Sequence, residues 1–147
     1  MCFSENMSLA IGLTGLASSL YFYNKNIYAA IGIGYFALME VIQYFQYKVI
    51  GQCNNPTNQF LTKLGYLHIC FQPVFVNLHL FAFTDKRDFT PIYLSIIAGI
   101  LLFSRVIAVT DDELCDHEHE PLCGEKTCSL HGERHIAWNL RLRAAGK

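Results

Sequence analysis

Four long apolar runs arranged as two close pairs, followed by a charge-rich stretch dense in Cys and His, predict an all-α integral membrane protein. Four transmembrane helices form two hairpins, and a short Cys/His-rich extramembrane tail follows them. The chain has 147 residues, of which 52% are apolar and 16% charged, against about 25% charged in a soluble domain. Ten charges fall in residues 1–110 and thirteen in residues 111–147, which sets the division into membrane part and tail. A net charge of −1 supplies no basic field, so nucleic acid is not an expected partner.

About 20 apolar residues cross ~30 Å of hydrocarbon. The first run, 7–23, is free of charge and ends at Asn24-Lys25-Asn26. The second, 27–47, carries a single acid, Glu40, before Lys48. The third and fourth, 64–84 and 89–109, flank the charged turn Asp85-Lys86-Arg87-Asp88. Turn formers and amides from Gly51 to Gln59 make the polar loop between the hairpins. Aromatic residues gather at the segment ends, as in interfacial belts. Small residues four apart, Ser8 with Gly12, Gly15 with Ser19 and Ala30 with Gly34, allow close helix contact, within the chain or in a homo-oligomer. The first six residues lack the basic start of a signal peptide, so the first run is expected to stay in the protein.

An even number of crossings puts both termini on one side. Juxtamembrane cations divide evenly, and the tail's own cations then favour termini facing the cytoplasm. Tail cysteines kept reduced as ligands point the same way.

An ionisable group in a membrane segment costs roughly 2.5–3.5 kcal/mol on insertion scales and calls for a partner or a purpose. Glu40, Gln43, Tyr44 and Tyr47 share one side of the second helix, and His68, Gln72 and His79 share one side of the third. Pro73 removes a backbone donor beside this second stripe. Two readings stand. In one, Glu40 hydrogen-bonds to His68 and the amides as interhelical glue. In the other, Glu40, His68 and Gln72 form a catalytic, metal or proton site around a small wet cavity.

Residues 111–120 include six acids and no base, and seven Cys or His residues occupy the 21 positions from Cys115 to His135. Thiolate and imidazole together suit Zn²⁺ in a four-ligand site. Cys123, Cys128, His131 and His135 are the candidate ligands, with Cys115, His117 and His119 in reserve. A Cys123–Cys128 disulfide in an oxidising compartment and an unliganded polar tail are the rival readings. Trp138 with Arg141 and Arg143 would lie at the lipid surface. The chain carries no Gly-rich phosphate loop, no Gly-x-Ser-x-Gly elbow and no His-Glu-x-x-His pair, which argues against a nucleotide-driven pump or a standard hydrolase.

Several strings together resemble a family of uncharacterised multi-pass membrane proteins of bacteria and large DNA viruses that begin Met-Cys-Phe/Trp-Ser. They are Met1-Cys2-Phe3-Ser4, Tyr35 to Glu40 with Gln43, Asn54-Asn55-Pro56-x-Asn58, Leu64 to Ile69 with Phe71-Gln72-Pro73, and Leu122-Cys123-Gly124 through Cys128-Ser129 to His135-x-Ala137-Trp138. The resemblance implies architecture and important positions but no reaction, and implies that this chain is shorter than other members. It also singles out Cys2 as a soft ligand or acylation site.

These observations lead to a multi-pass membrane protein that binds zinc through its tail. The alternatives are a membrane-embedded metal-dependent enzyme using Glu40 and His68, and a metal or proton carrier. The expected partners are the lipid bilayer, a metal ion and a second copy of the chain.

Overall fold

The computed structural model describes residues 4–116, 118–132 and 135–145. Four helices, α1 (Glu5–Tyr23), α2 (Ile27–Val49), α3 (Pro56–Leu80) and α4 (Thr90–Ser104), precede two strands, β1 (Cys128–His131) and β2 (Ile136–Asn139). Short polar side chains start three of the helices by accepting amide protons that have no partner within the first turn. Ser4 accepts from Met7, Asn26 from Tyr28 and Ala29, and Asn55 from Thr57. α4 starts differently, with Pro91 in its first turn and Asp88 accepting from the amide of Thr90 at 2.9 Å.

Packing follows chain order: α1 lies against α2, α2 against α3 and α3 against α4. The small residues are what let α1 and α2 approach. A Cβ on Gly15 would stand 2.7 Å from the Cβ of Ala37, and one on Gly34 would stand 2.8 Å from the hydroxyl of Ser19. That hydroxyl donates to the carbonyl of Ala30 at 2.7 Å. The small-residue faces thus meet each other inside the first hairpin.

The four-span all-α architecture expected from the sequence is not the one found. Among the described residues only α2 is both long and apolar enough to cross a bilayer. α4 has 15 residues, about 22 Å of helix against ~30 Å of hydrocarbon. α1 is diluted by Glu5, Asn6, Ser8, Thr14, Ser18 and Ser19, and α3 opens with the polar run Pro56 to Gln59 followed by Thr62 and Lys63. The polar loop is correspondingly shorter than expected, because Asn55 and Pro56 form a helix start that the apolar pattern does not reveal.

The C-terminal segment is a folded cap with an antiparallel hairpin, pairing Cys128 with Asn139 and Ser129 with Trp138. It shares a core with α3, in which Tyr66 and Cys70 cluster with Cys115, Cys123, Leu140 and Leu142.

Candidate functional site

Both polar stripes come together. Glu40 and Gln43 from α2, and His68 and Gln72 from α3, line one cavity of about 590 Å³. Its remaining wall is apolar, with Ile11 and Gly15 from α1, Ile33, Phe36 and Met39 from α2, and Ile69 from α3. The volume lies within the ~300–1,000 Å³ typical of small-molecule sites. α2 forms the floor between α1 and α3. His79, on the same stripe as His68 in sequence, sits against Gly32 and does not line this cavity.

His68 is held by two elements at once. It is 5% exposed, and its Nε2 lies 2.7 Å from the carbonyl of Tyr35. A carbonyl only accepts, so Nε2 carries the proton and Nδ1 of the neutral ring presents a lone pair. That Nδ1 and the Oε1 of Gln43 are buried without a hydrogen-bond partner. The Tyr35 ring stacks on the imidazole at a centroid distance of 3.8 Å and on Phe75 at 3.6 Å, locking the ring plane. Tyr35 had no signal of its own in the helical periodicity, and its only pointer is its place at the head of the Tyr35–Glu40 string.

A second cavity of about 470 Å³ adjoins the first. The two share Met39, Gln43 and Ile69, and the second is closed by Pro121, Leu122, His135, Ile136 and Trp138 from the cap. Among the described residues no Lys or Arg lines either cavity.

The expected tail ligands lie elsewhere. Cys123 is bonded to Cys115, and Cys128 to Cys53 in the α2–α3 loop, so these four sulfurs are disulfide sulfurs and not thiolates. Neither bond is the Cys123–Cys128 pairing considered from spacing. His131 and His135 are exposed near the tip of the hairpin, and His119 is exposed and pairs with Asp116 at 3.0 Å. Among the described residues no three His, Cys, Asp or Glu side chains converge as a metal site. Cys2 and His117 lie outside the described residues. Trp138 does not lie free at a surface, for its ring packs on Gly65 of α3, where a Cβ would meet it at 2.8 Å. Arg141 pairs with Asp111 and Arg143 with Glu113.

The tail is positioned by a buried polar socket that sequence reasoning missed. Ser129, Gln46, Asn58 and Thr62 are all fully buried. The Asn58 side chain treats β1 as a neighbouring strand would: its amide donates to the Ser129 carbonyl at 3.2 Å, and its oxygen accepts from the Ser129 N–H at 2.9 Å. Gln46 donates to the Ser129 hydroxyl at 3.1 Å, and that hydroxyl lies 2.7 Å from Thr62 Oγ1, which donates to the Asn58 carbonyl at 2.8 Å. On the opposite side of the cap, Arg105 donates to both oxygens of Glu120 at 2.8 and 2.6 Å and to the Arg143 carbonyl. This guanidinium holds the Glu120 carboxyl below its ordinary pKa of 4.5.

The family described as a family of unknown function (DUF5765) matches residues 6–146. No curated protein and no solved structure matches the chain.

Proposed function

The chain belongs to that family of unknown function, and from the geometry above we propose that it is a membrane-inserted protein that binds a membrane-soluble small molecule between α1, α2 and α3 and exchanges a proton with it. The observation that carries this reading is the meeting of Glu40, Gln43, His68 and Gln72 from two helices in one cavity with an otherwise apolar wall. Such a wall weakens the screening of charge, so a carboxyl and an imidazole there interact strongly with a bound group. Glu40 and the Nδ1 lone pair of His68 are the proton-exchanging groups, and the amides of Gln43 and Gln72 orient the ligand.

Membrane insertion is supported by α2, since only 28% of its most apolar stretch is buried inside the protein. Leu13, Leu20, Leu94, Ile97 and Leu101 are each more than half exposed on α1 and α4. Apolar surface this continuous seeks lipid or another apolar partner. The cap belongs on an oxidising side of the membrane, because Cys53, Cys115, Cys123 and Cys128 are all in disulfides. That placement reverses the cytoplasmic termini expected from the sequence.

The test is nitrogen-15 NMR of the His68 ring in the full-length protein in nanodiscs. The Nδ1 resonance is expected to respond to a change of pH and to shift in Glu40→Gln. A ring that responds neither to pH nor to Glu40→Gln overturns the reading.

A further inference from the structure

We propose that a cavity where the cap meets α3 binds a phosphate ester, its oxygens held by Lys63, Lys126, Arg141 and the hydroxyl of Thr127. This site is separate from the groove between α1, α2 and α3, and the proposal does not rest on the acid–base reading of that groove. The cavity measures about 350 Å³ and is walled by four stretches of chain that meet only in the folded protein. Lys63 comes from α3, Val106 and Val109 from the segment after α4, Lys126 and Thr127 from the approach to β1, and Arg141 from the segment after β2.

The first observation is charge. Lys63, Lys126 and Arg141 all line the cavity, and among the described residues Glu125 is the single carboxylate of its wall. Asp111 pairs with Arg141 from outside that wall, and its side chain is 93% exposed, where water screens it. Cations therefore outnumber carboxylates at the cavity, which favours an anion.

The second is hydrogen-bonding sense. Arg141 is fixed by the protein itself, with Nε donating to the Val109 carbonyl at 3.3 Å, Nη1 to the Glu125 carbonyl at 3.5 Å and Nη2 to Asp111. A guanidinium carries five N–H groups, so donors remain on it for a ligand. Lys126 is held by Asn54 Oδ1 at 3.1 Å, and one such bond leaves an ammonium two of its three donors. Lys63 is exposed and brings a further ammonium. Thr127 is 7% exposed, and its Oγ1 accepts from the Arg141 N–H at 3.2 Å, which leaves the hydroxyl hydrogen to donate. Such a set fits a group made of acceptors. The terminal oxygens of a phosphate ester stand at tetrahedral corners and take donors arriving from several segments at once, through short charge-assisted bonds. A carboxylate offers two oxygens in one plane and meets fewer of them.

The third is the apolar margin. Val106 and Val109 form one side of the cavity. Ile107, next to Val106, is 54% exposed, and Phe60, one turn before Lys63, is 64% exposed. Acyl chains of a lipid phosphate have apolar surface to follow there.

Full-length protein in dodecyl maltoside micelles is titrated calorimetrically with dioctanoyl phosphatidic acid, dioctanoylglycerol, decanoate and glycerol 3-phosphate, with protein-free micelles as the control. Phosphatidic acid is expected to bind saturably and at least about tenfold more tightly than dioctanoylglycerol or decanoate. Lys63→Gln and Lys126→Gln are each expected to weaken it about tenfold, the loss of one charge-assisted bond. Lys25→Gln, in the turn between α1 and α2, is expected to leave it unchanged. Trp138, the single tryptophan of the chain, packs on Gly65 of α3, so unchanged emission in the three variants verifies that the cap stays docked. Glycerol 3-phosphate binding as tightly as phosphatidic acid makes a free phosphate ester the source, and much weaker binding makes it a lipid headgroup; both results support a phosphate site. Equal affinity for dioctanoylglycerol or decanoate overturns the proposal. So does an affinity unchanged in Lys63→Gln and Lys126→Gln, or one weakened as much by Lys25→Gln.

Discussion

Tyr35 and His68 hold each other by two reciprocal hydrogen bonds. The Tyr35 hydroxyl donates to the His68 carbonyl at 2.5 Å, and the His68 ring reaches the Tyr35 carbonyl at 2.7 Å. The rings stack between these bonds. Each residue thus uses its side chain to satisfy the other's backbone, joining α2 to α3 beside the cavity and fixing the imidazole tautomer.

Tyr35→Phe removes one of the two bonds and is expected to destabilise the protein by about 1 kcal/mol. His68→Gln is expected to be more stable than His68→Leu, because only glutamine restores a donor to the Tyr35 carbonyl. Thermal melting of the three variants in one detergent checks this. Equal melting of His68→Gln and His68→Leu would remove the clasp from the account.

The Cys53–Cys128 bond closes a loop of 75 residues and ties the cap to the α2–α3 loop. Cys53→Ser is expected to lower stability by roughly 2–4 kcal/mol. Under denaturing conditions without reductant, Cys53, Cys115, Cys123 and Cys128 should resist alkylation, while the thiol of Cys70 reacts. Alkylation of all five before reduction would remove the disulfides and reopen thiolate chemistry in the cap.

Asn58 satisfies both backbone groups of Ser129 and also donates to the Val49 carbonyl at 2.7 Å. Asn58→Ala should therefore destabilise cap docking more than Ser129→Ala, which removes only a hydroxyl. Each stranded buried group costs about 1–3 kcal/mol. Hydrogen exchange at the amides of β1 and β2 gives the ranking, and greater exchange in Ser129→Ala would invert the assignment.

Glu120 supplies a pH dependence on the other side of the cap. Arg105 lowers its folded-state pKa below the ordinary 4.5, so this contribution to stability is complete above that value and is lost as pH falls through the folded pKa. Trp138 fluorescence or cap hydrogen exchange should show the cap loosening on acidification below about pH 4.5. In Glu120→Gln the Arg105–Glu120 component should vanish. A variant with an acid response identical to the parent would exclude this pair as its source.

The polar stripes were legible because helical periodicity is local. Glu40 with Gln43, and His68 with Gln72, share faces whatever the rest of the chain does, and the structure brings both faces to one cavity. Helix starts at Asn26 and Asn55 were likewise local signals, although the apolar pattern masked the second. The cap was not legible in this way. Cys/His spacing of a metal module is also the spacing of disulfide cysteines, and which sulfur meets which depends on partners as remote as Cys53.

By itself, the sequence determined four helical segments in order and the side chains that share a face, because each depends on neighbours a few residues away. Tertiary structure alone decided where the tail rests and which cysteines bond. Those outcomes depend on chain return over long separations, as when Ser129 enters a socket made by Gln46, Asn58 and Thr62. Burial of that socket removes polar groups from water only if all of them pair at once, a condition that no local pattern encodes.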